Sequence, residues 1–445
     1  MEEISKTLAP DEKTEEMFRA WIAPQNIEFK SQWAKKAFQE RATRIKDAIQ
    51  LRIPDRVPFW FQLSSFFPCR YAGITCKEAM YHAESWFAAN RKTFLDFEPD
   101  MFFNPGAYLH TAAQAFEAVG TRNMKWPGHG VDSNCSFQYV EGEYMKAEEY
   151  DTFIHDMTDY TIRTFLPRVF EALEPFSMLP PLKSLGITLP AISAVFTFPP
   201  LQSAFKALHE AGLESMKWSL ASENFVKEMN EHGFPLLIGG YSLVPFDAIS
   251  DLFRGMRGTM LDMYRHPDKL LKAMERLFPP LFEMAVFMAK KGGNPGVFIP
   301  LHRGADGFMS SRQFETFYWP GLKKFLLALI EEGLTPIPFF EGNYTSRLEY
   351  LAELPRGKVL GLFDNTDIYE LKKVLGETMC ISGLMPLTLL QFGSVEEVKE
   401  YAKRLIDVVG KEGGFMMGPR SAMDEANPDI VKVWTEFTRA YGSYR

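Results

Sequence analysis

Thr335-Pro336-Ile337-Pro338-Phe339-Phe340-Glu341-Gly342-Asn343, then Val359-Leu360-Gly361-Leu362-Phe363-Asp364, then Met379-Cys380-Ile381-Ser382-Gly383, decide the fold. Each is a short apolar run that ends on polar or glycine residues. Runs of this kind, apolar at successive positions rather than alternating, belong to strands buried on both faces, as in a parallel sheet. Working outward, Val297-Phe298-Ile299, Pro235-Leu236-Leu237-Ile238, Met101-Phe102-Phe103 and Val57 to Leu63 have the same character. Between them lie amphipathic stretches, clearest at Gln313 to Glu332, Ile368 to Leu375 and Val395 to Val409. The alternation is too long for a five- or six-stranded open sheet and predicts an α/β fold, a (β/α)8 TIM barrel.

Ahead of the first strand, Met17, Trp21, Trp33, Phe38, Ile45 and Ile49 recur at helical spacing, which predicts a helical extension over residues 12–50. Ile53-Pro54-Asp55-Arg56-Val57-Pro58 then breaks the helix. The expected organisation is a helical N-terminal extension over 1–50 and one catalytic barrel over 51–445, with a polar, glycine-rich excursion near 120–150.

In such barrels chemistry sits where strands run into their following loops. That rule nominates Asn104, Tyr241, His302, Glu341, Asp364 and Ser421, each just after an apolar run. Glu341, flanked by Phe339 and Phe340, suits a metal ligand, a general acid, or a partner for a buried arginine. His302 suits a metal ligand or an acid-base group. Asp364 either acts at the site or caps the next helix, although Asp367 is better placed as the N-cap before Ile368. Asn104, before Pro105-Gly106, also has turn-forming composition. Tyr241, after Gly239-Gly240, offers a hydroxyl to a substrate oxygen or packs in the core. His110 reads as a structural helix residue beside Tyr108 and Ala112. Phe66, Phe67, Phe102, Phe103, Phe339 and Phe340 fall at predicted strand exits. They either pack the core or form a slot for a planar ring.

Charge and composition exclude other classes. A formal net charge of −8 over 445 residues speaks against a nucleic-acid partner. No apolar run reaches the roughly 18–20 residues of a membrane span. The N-terminus is charged from its second residue, so no secretory leader is expected and a cytoplasmic location is. Cys69, Cys76, Cys135 and Cys380 lack metal-binding spacing and suit a reducing compartment.

Several segments, in order, resemble the uroporphyrinogen-decarboxylase-like superfamily. Pro54-Asp55-Arg56-Val57-Pro58-Phe59 is similar to its Asp-Arg-x-Pro opening, and Phe246 to His266 with Pro267-Asp268 to its central segment. Gly307-Phe308-Met309-Ser310 through Phe314, Phe317 and Pro320 resembles its Ser-Pro-x-x-Phe-x-x-Phe-x-x-Pro stretch. Gly383-Leu384-Met385-Pro386 with Leu389, Leu390, Gly393 and Ser394 matches another of its patterns, and Gly413-Gly414-Phe415-Met416 before Pro419 resembles its last strand.

The departures point to one branch. Porphyrin decarboxylases carry an arginine-rich loop after strand one, where this chain reads Gln62-Leu63-Ser64-Ser65-Phe66-Phe67 with only Arg70 nearby. They also place an Asp where Asn104 stands. A substrate with eight carboxylates needs those charges, so porphyrin decarboxylation is not expected. Thiol-methylating relatives hold zinc through a His-x-Cys pair and a later Cys; here those positions are Phe339, Glu341 and Ser421.

The resemblance therefore implies the cobalamin-dependent methyltransferase branch, with hard ligands in place of thiolates. The expected reaction is O-demethylation: a methyl group passes from a methoxylated aromatic to the Co(I) of a separate corrinoid protein. His302 and Glu341 are the expected polarising pair, with zinc a candidate metal between them and Asp364 in support. Asn104, Tyr241, Phe66, Phe103, Phe340 and Arg70 are the expected substrate contacts. The expected partners are a corrinoid protein and a small methylated aromatic, in a chain that can form a homodimer. The alternatives are a small donor such as methanol or a methylamine, a thiol acceptor, a decarboxylase whose single carboxylate is held by Arg70, Arg303 or Arg420, and an inactive binding barrel.

Overall fold

The computed structural model describes residues 8–61, 66–106, 112–181 and 189–444. Gln62, Leu63, Ser64, Ser65, Tyr108 and His110 lie outside the described residues. Three short strands, β1 (Met124–Pro127), β2 (Gly130–Val131) and β3 (Gln138–Tyr139), form a small separate sheet. The main sheet runs β4 (Ile238–Tyr241), β5 (Gly296–Leu301), β6 (Thr335–Phe340), β7 (Leu360–Phe363), β8 (Cys380–Met385) and β9 (Phe415–Pro419). These six strands pair in sequence order and all in parallel, as βα crossovers require.

Two further extended segments carry the ring on. Parallel bridges join Phe59 to Met417, Trp60 to Met101, and Phe102 to Leu236. Their hydrogen bonds include Trp60 N–H to the Met417 carbonyl (3.1 Å) and Asp100 N–H to the Phe59 carbonyl (2.7 Å). The architecture is TIM-barrel-like, with the first two positions held by single bridges instead of ladders. The strand expected at Val57 to Leu63 is thus limited, among the described residues, to the bridged pair Phe59 and Trp60.

Strand alternation sorts the core into two layers. Trp60, Met101, Phe103, Phe298, Ile337, Phe339, Leu362 and Met416 fill the interior. Their neighbours Phe59, Ile299, Phe340, Phe363 and Met417 face the helices. Inside, the Trp60 indole N–H donates to Ser382 Oγ at 2.9 Å, so the one polar group of that large ring is satisfied.

The helices Pro10–Ile22 and Gln32–Ile49 pack Phe18, Trp21, Phe38, Ile45 and Ile49 onto the same interior cluster. Trp33, expected on their apolar face, is instead 63% exposed because it sits in the first turn of its helix. The Asp55-Arg56 opening proves structural. Asp100, fully buried, accepts from Arg44 and Arg56 at 2.7 Å each and from the Phe59 N–H at 2.7 Å, while Arg44 also grips Asp55 at 2.6 Å. Burial alone would raise the Asp100 carboxyl, but the two guanidiniums outweigh it and hold it below the usual range.

The excursion near 120–150 is part of a longer departure. Chain between the bridged residue Phe102 and β4 carries β1 to β3 and ends in the 33-residue helix Pro199–Glu231, which returns to the barrel.

Candidate active site

β5 and β6 run in register, with Leu301 opposite Phe340, so the residues that follow them leave the barrel side by side. Those residues are His302 and Glu341. His302 Nε2 lies 3.5 Å from Glu341 Oε1. The other ring nitrogen, Nδ1, is 2.5 Å from Asp251 Oδ2. One imidazole is thus clamped between two carboxylates. Burial would lower its pKa, yet the interactions of its ring N–H groups with the Asp251 and Glu341 carboxylates prevail and push it up to about 11. His302 is an imidazolium at neutral pH.

The clamp is held from behind. Asp247, fully buried, accepts the backbone N–H groups of His302 (3.1 Å) and Arg303 (3.2 Å) and the Tyr318 hydroxyl (2.7 Å). Burial, with the adjacent Asp251 charge, pushes its carboxyl up to about 7. Arg303 donates to Asp251 Oδ1 (3.0 Å) and Ser250 Oγ (2.8 Å) and lies 3.5 Å from Glu141. Asp251 is therefore fixed on both oxygens. Gly304 completes the cradle, since a Cβ there would meet Tyr318 at 2.6 Å and the Tyr344 hydroxyl at 2.7 Å.

On the other side, Asp364 accepts the Gly342 N–H at 3.1 Å, and burial raises its carboxyl. That bond fixes the turn carrying Glu341, where Gly342 has φ of 87°. Asp364 braces Glu341, while Asp367 caps the helix Ile368–Leu375 by accepting from the Tyr369 and Glu370 N–H groups. Arg420, beyond β9, donates to the Leu384 carbonyl (3.2 Å) and Asn365 (3.2 Å). Leu384 itself holds φ of 76°, a costly conformation for a non-glycine residue beside a strand exit.

Beneath the clamp lies an aromatic floor. Phe298 sits 6.1 Å from Phe103, 6.4 Å from Phe339 and 6.1 Å from Tyr241. Tyr241, 41% exposed, opens toward solvent. Although the residue as a whole is part-exposed, desolvation of its hydroxyl end, with Asp251 and Glu341 close by, holds the phenol above the usual tyrosine range.

Several expected substrate contacts lie elsewhere. Phe340 points outward because it alternates with Phe339, and it stacks on Phe363 at 4.6 Å. Phe66 is buried against Trp86 (5.5 Å) and Phe137 (6.4 Å). Asn104 accepts from the Gly106 N–H and from Ser222 Oγ, both at 3.0 Å, the turn-forming role its composition allowed. Arg70 is exposed on the helix Phe67–Ala72, and no described contact joins it to the clamp.

Asp247 and Asp251 escaped the sequence reading. Their signal was an acidic pair four residues apart just after a strand, in Pro245-Phe246-Asp247-Ala248-Ile249-Ser250-Asp251. On a helical segment that spacing puts both on one face.

Among the described residues the donor set is not a complete zinc site. His302 and Glu341 lie within reach of one ion, but among the described residues no three His, Cys, Asp or Glu side chains converge to hold one. What the arrangement offers is a positioned proton.

The comparisons agree with this architecture. A methyltransferase from Methanosarcina mazei has a similar fold, with a TM-score of 0.57 at 15% identity, covering 90% of this chain and 98% of that one. No curated protein matches the chain. Residues 171–441, more than half of the sequence, match the uroporphyrinogen decarboxylase (URO-D) family. The chain belongs to the uroporphyrinogen decarboxylase family.

Proposed function

We propose that this protein is a methyltransferase that demethylates a methoxylated aromatic compound, passing the methyl group to a reduced corrinoid carried by a separate protein. The observation that carries the reading is the His302 imidazolium, clamped by Asp251 and Glu341 above the floor of Phe103, Phe298 and Phe339. Family membership and the methyltransferase neighbour support it.

The reduced corrinoid supplies the nucleophile that accepts the methyl carbon. As the carbon–oxygen bond breaks, its electron pair stays on oxygen, and a phenolate of conjugate-acid pKa near 10 must leave. His302, with a pKa of about 11, is nearly matched to that phenol. It can therefore share its proton with the oxygen as charge develops, without giving it up earlier. In the resting site the Nε2–H of His302 faces the Glu341 carboxylate, and it turns to the leaving oxygen as the carbon–oxygen bond breaks. Asp251 keeps the imidazole oriented. The aromatic floor takes the substrate ring by stacking, and Tyr241 borders it with a hydroxyl.

The same carboxylates favour a second donor. Glu141, Asp251, Glu341 and Asp364 outnumber the nearby cations His302, Arg303 and Arg420, a balance that suits a methylated ammonium. The test mixes the protein with a reduced corrinoid protein and a panel of methoxybenzoates, methoxyphenols, methylamines and methanol. Free phenol together with methyl–cobalt absorbance is the expected result. Reaction with a methylamine or methanol and with no methoxylated ring overturns the aryl-ether assignment.

A further inference from the structure

The helix Pro199–Glu231 buries Leu201, Ala204, Trp218, Phe225 and Met229 on one face. Its opposite face is not wholly polar, as a solvent-facing helix surface should be. Leu213 is 47% exposed, Met216 68% and Leu220 61%. They line a groove of about 860 Å3, walled by Gln114 and Ala118 of the helix Ala113–Val119. An apolar stripe this contiguous marks an interaction surface.

The stripe has the spacing of a coiled-coil seam. Lys206, His209, Leu213, Met216, Leu220 and Glu223 alternate by three and four residues, with leucine or lysine at one seam position and histidine, methionine or glutamate at the other. We propose that this seam pairs with itself, antiparallel, across a two-fold axis, joining two copies of the chain. The argument is self-complementarity. In the register that places Leu213 against Met216 of the second copy, Leu220 meets His209. Lys206, at the outer end of the seam, meets Glu223. On one flank Glu210 meets Lys217, an opposite-charge pair made twice by the two-fold. On the other flank Gly212 meets Ser219, both small enough for the helix backbones to approach. An isologous contact must satisfy every such pairing twice, and this one register does so without placing like charges together.

The exposed charges are free to re-pair. Lys206 now reaches Glu210 at 3.8 Å and Lys217 reaches Glu214 at 2.6 Å, with the lysines 77% and 67% exposed. Intrahelical surface pairs of this kind contribute little, so exchanging them for pairs between copies costs little.

Sedimentation velocity and light scattering on the full chain, from about 1 to about 100 µM, test the proposal. The expected species has twice the chain mass. Leu213→Glu with Leu220→Glu should give a single chain with an unchanged circular dichroism spectrum. Lys217→Glu alone should raise the dissociation constant at least about tenfold by facing Glu210 with a like charge. Adding Glu210→Lys to it should restore the wild-type value, because the swapped pair is again complementary. A wild-type chain that stays single at the highest concentration overturns the proposal. So does a dimer insensitive to Leu213→Glu, or a charge swap that fails to restore association, which assigns the stripe to a different protein.

Discussion

The Nε2 atom of His302 lies 3.5 Å from Glu341 Oε1 while its Nδ1 lies 2.5 Å from Asp251 Oδ2, so both ring nitrogens face carboxylates. An imidazole so placed is charged, and it has one direction in which to release a proton. Asp251 is anchored by Arg303 and lies deeper, whereas Glu341 is 41% exposed at the mouth. In the proposed reaction the proton therefore leaves along the His302–Glu341 side.

Replacing Glu341 by Gln should cut methyl transfer by a factor on the order of 100 or more, the scale of disabling acid-base catalysis, because it removes a carboxylate that keeps His302 charged. Ring binding, measured by fluorescence titration with a methoxybenzoate, should change little. Equal losses in binding and turnover would instead make Glu341 a substrate ligand.

Asp251→Asn should act through His302 rather than on the substrate. It removes the strongest contact that raises the imidazole, so the ring pKa should fall from about 11 toward the ordinary range. NMR titration of the imidazole reads this directly, and the alkaline limb of the turnover profile should move to lower pH with it. An unmoved ring titration contradicts the positioning role.

His302 also links stability to pH. Its folded pKa of about 11 exceeds the ordinary 6.5, so the folded state holds the proton more tightly. The stability this contributes is complete below about pH 6.5 and is lost as pH rises through about 11. The gap in unfolding free energy between wild type and His302→Gln should narrow steadily from about pH 7 to about pH 10 in urea titrations. A gap that is constant or widens over that range contradicts a raised imidazole.

Asp100→Asn tests the fold rather than the site. It leaves Arg44 and Arg56 without the buried carboxylate they share and should cost about 3–5 kcal/mol. Because the Asp100 pKa is lowered on folding, its contribution is present above the ordinary carboxylate range and lost as pH falls through the folded value. The variant's deficit should therefore shrink in strong acid, as read by thermal melts.

The sequence by itself determined the strands of the main sheet and their order. Thr335–Phe340 is continuous and apolar because both its faces are buried, and β6 matches that run at both ends. It also determined that His302 and Glu341 end neighbouring strands, since consecutive βα units lie side by side. Asp367 was legible as a cap because that role is local, and the structure gives it the two N–H donors it needs. Only the tertiary structure decided the rest. Phe339 and Phe340 are indistinguishable by composition; the strand's register against β5 and β7 turns one into the interior and the other onto Phe363. Asp247 and Asp251 lie more than 50 residues before His302, and β4–β5 pairing is what carries their helix to it. Long-range approach of this kind leaves no periodic trace along the chain. The charge on His302 belongs to the same class, because it depends on which carboxylates surround the ring and how little water reaches them.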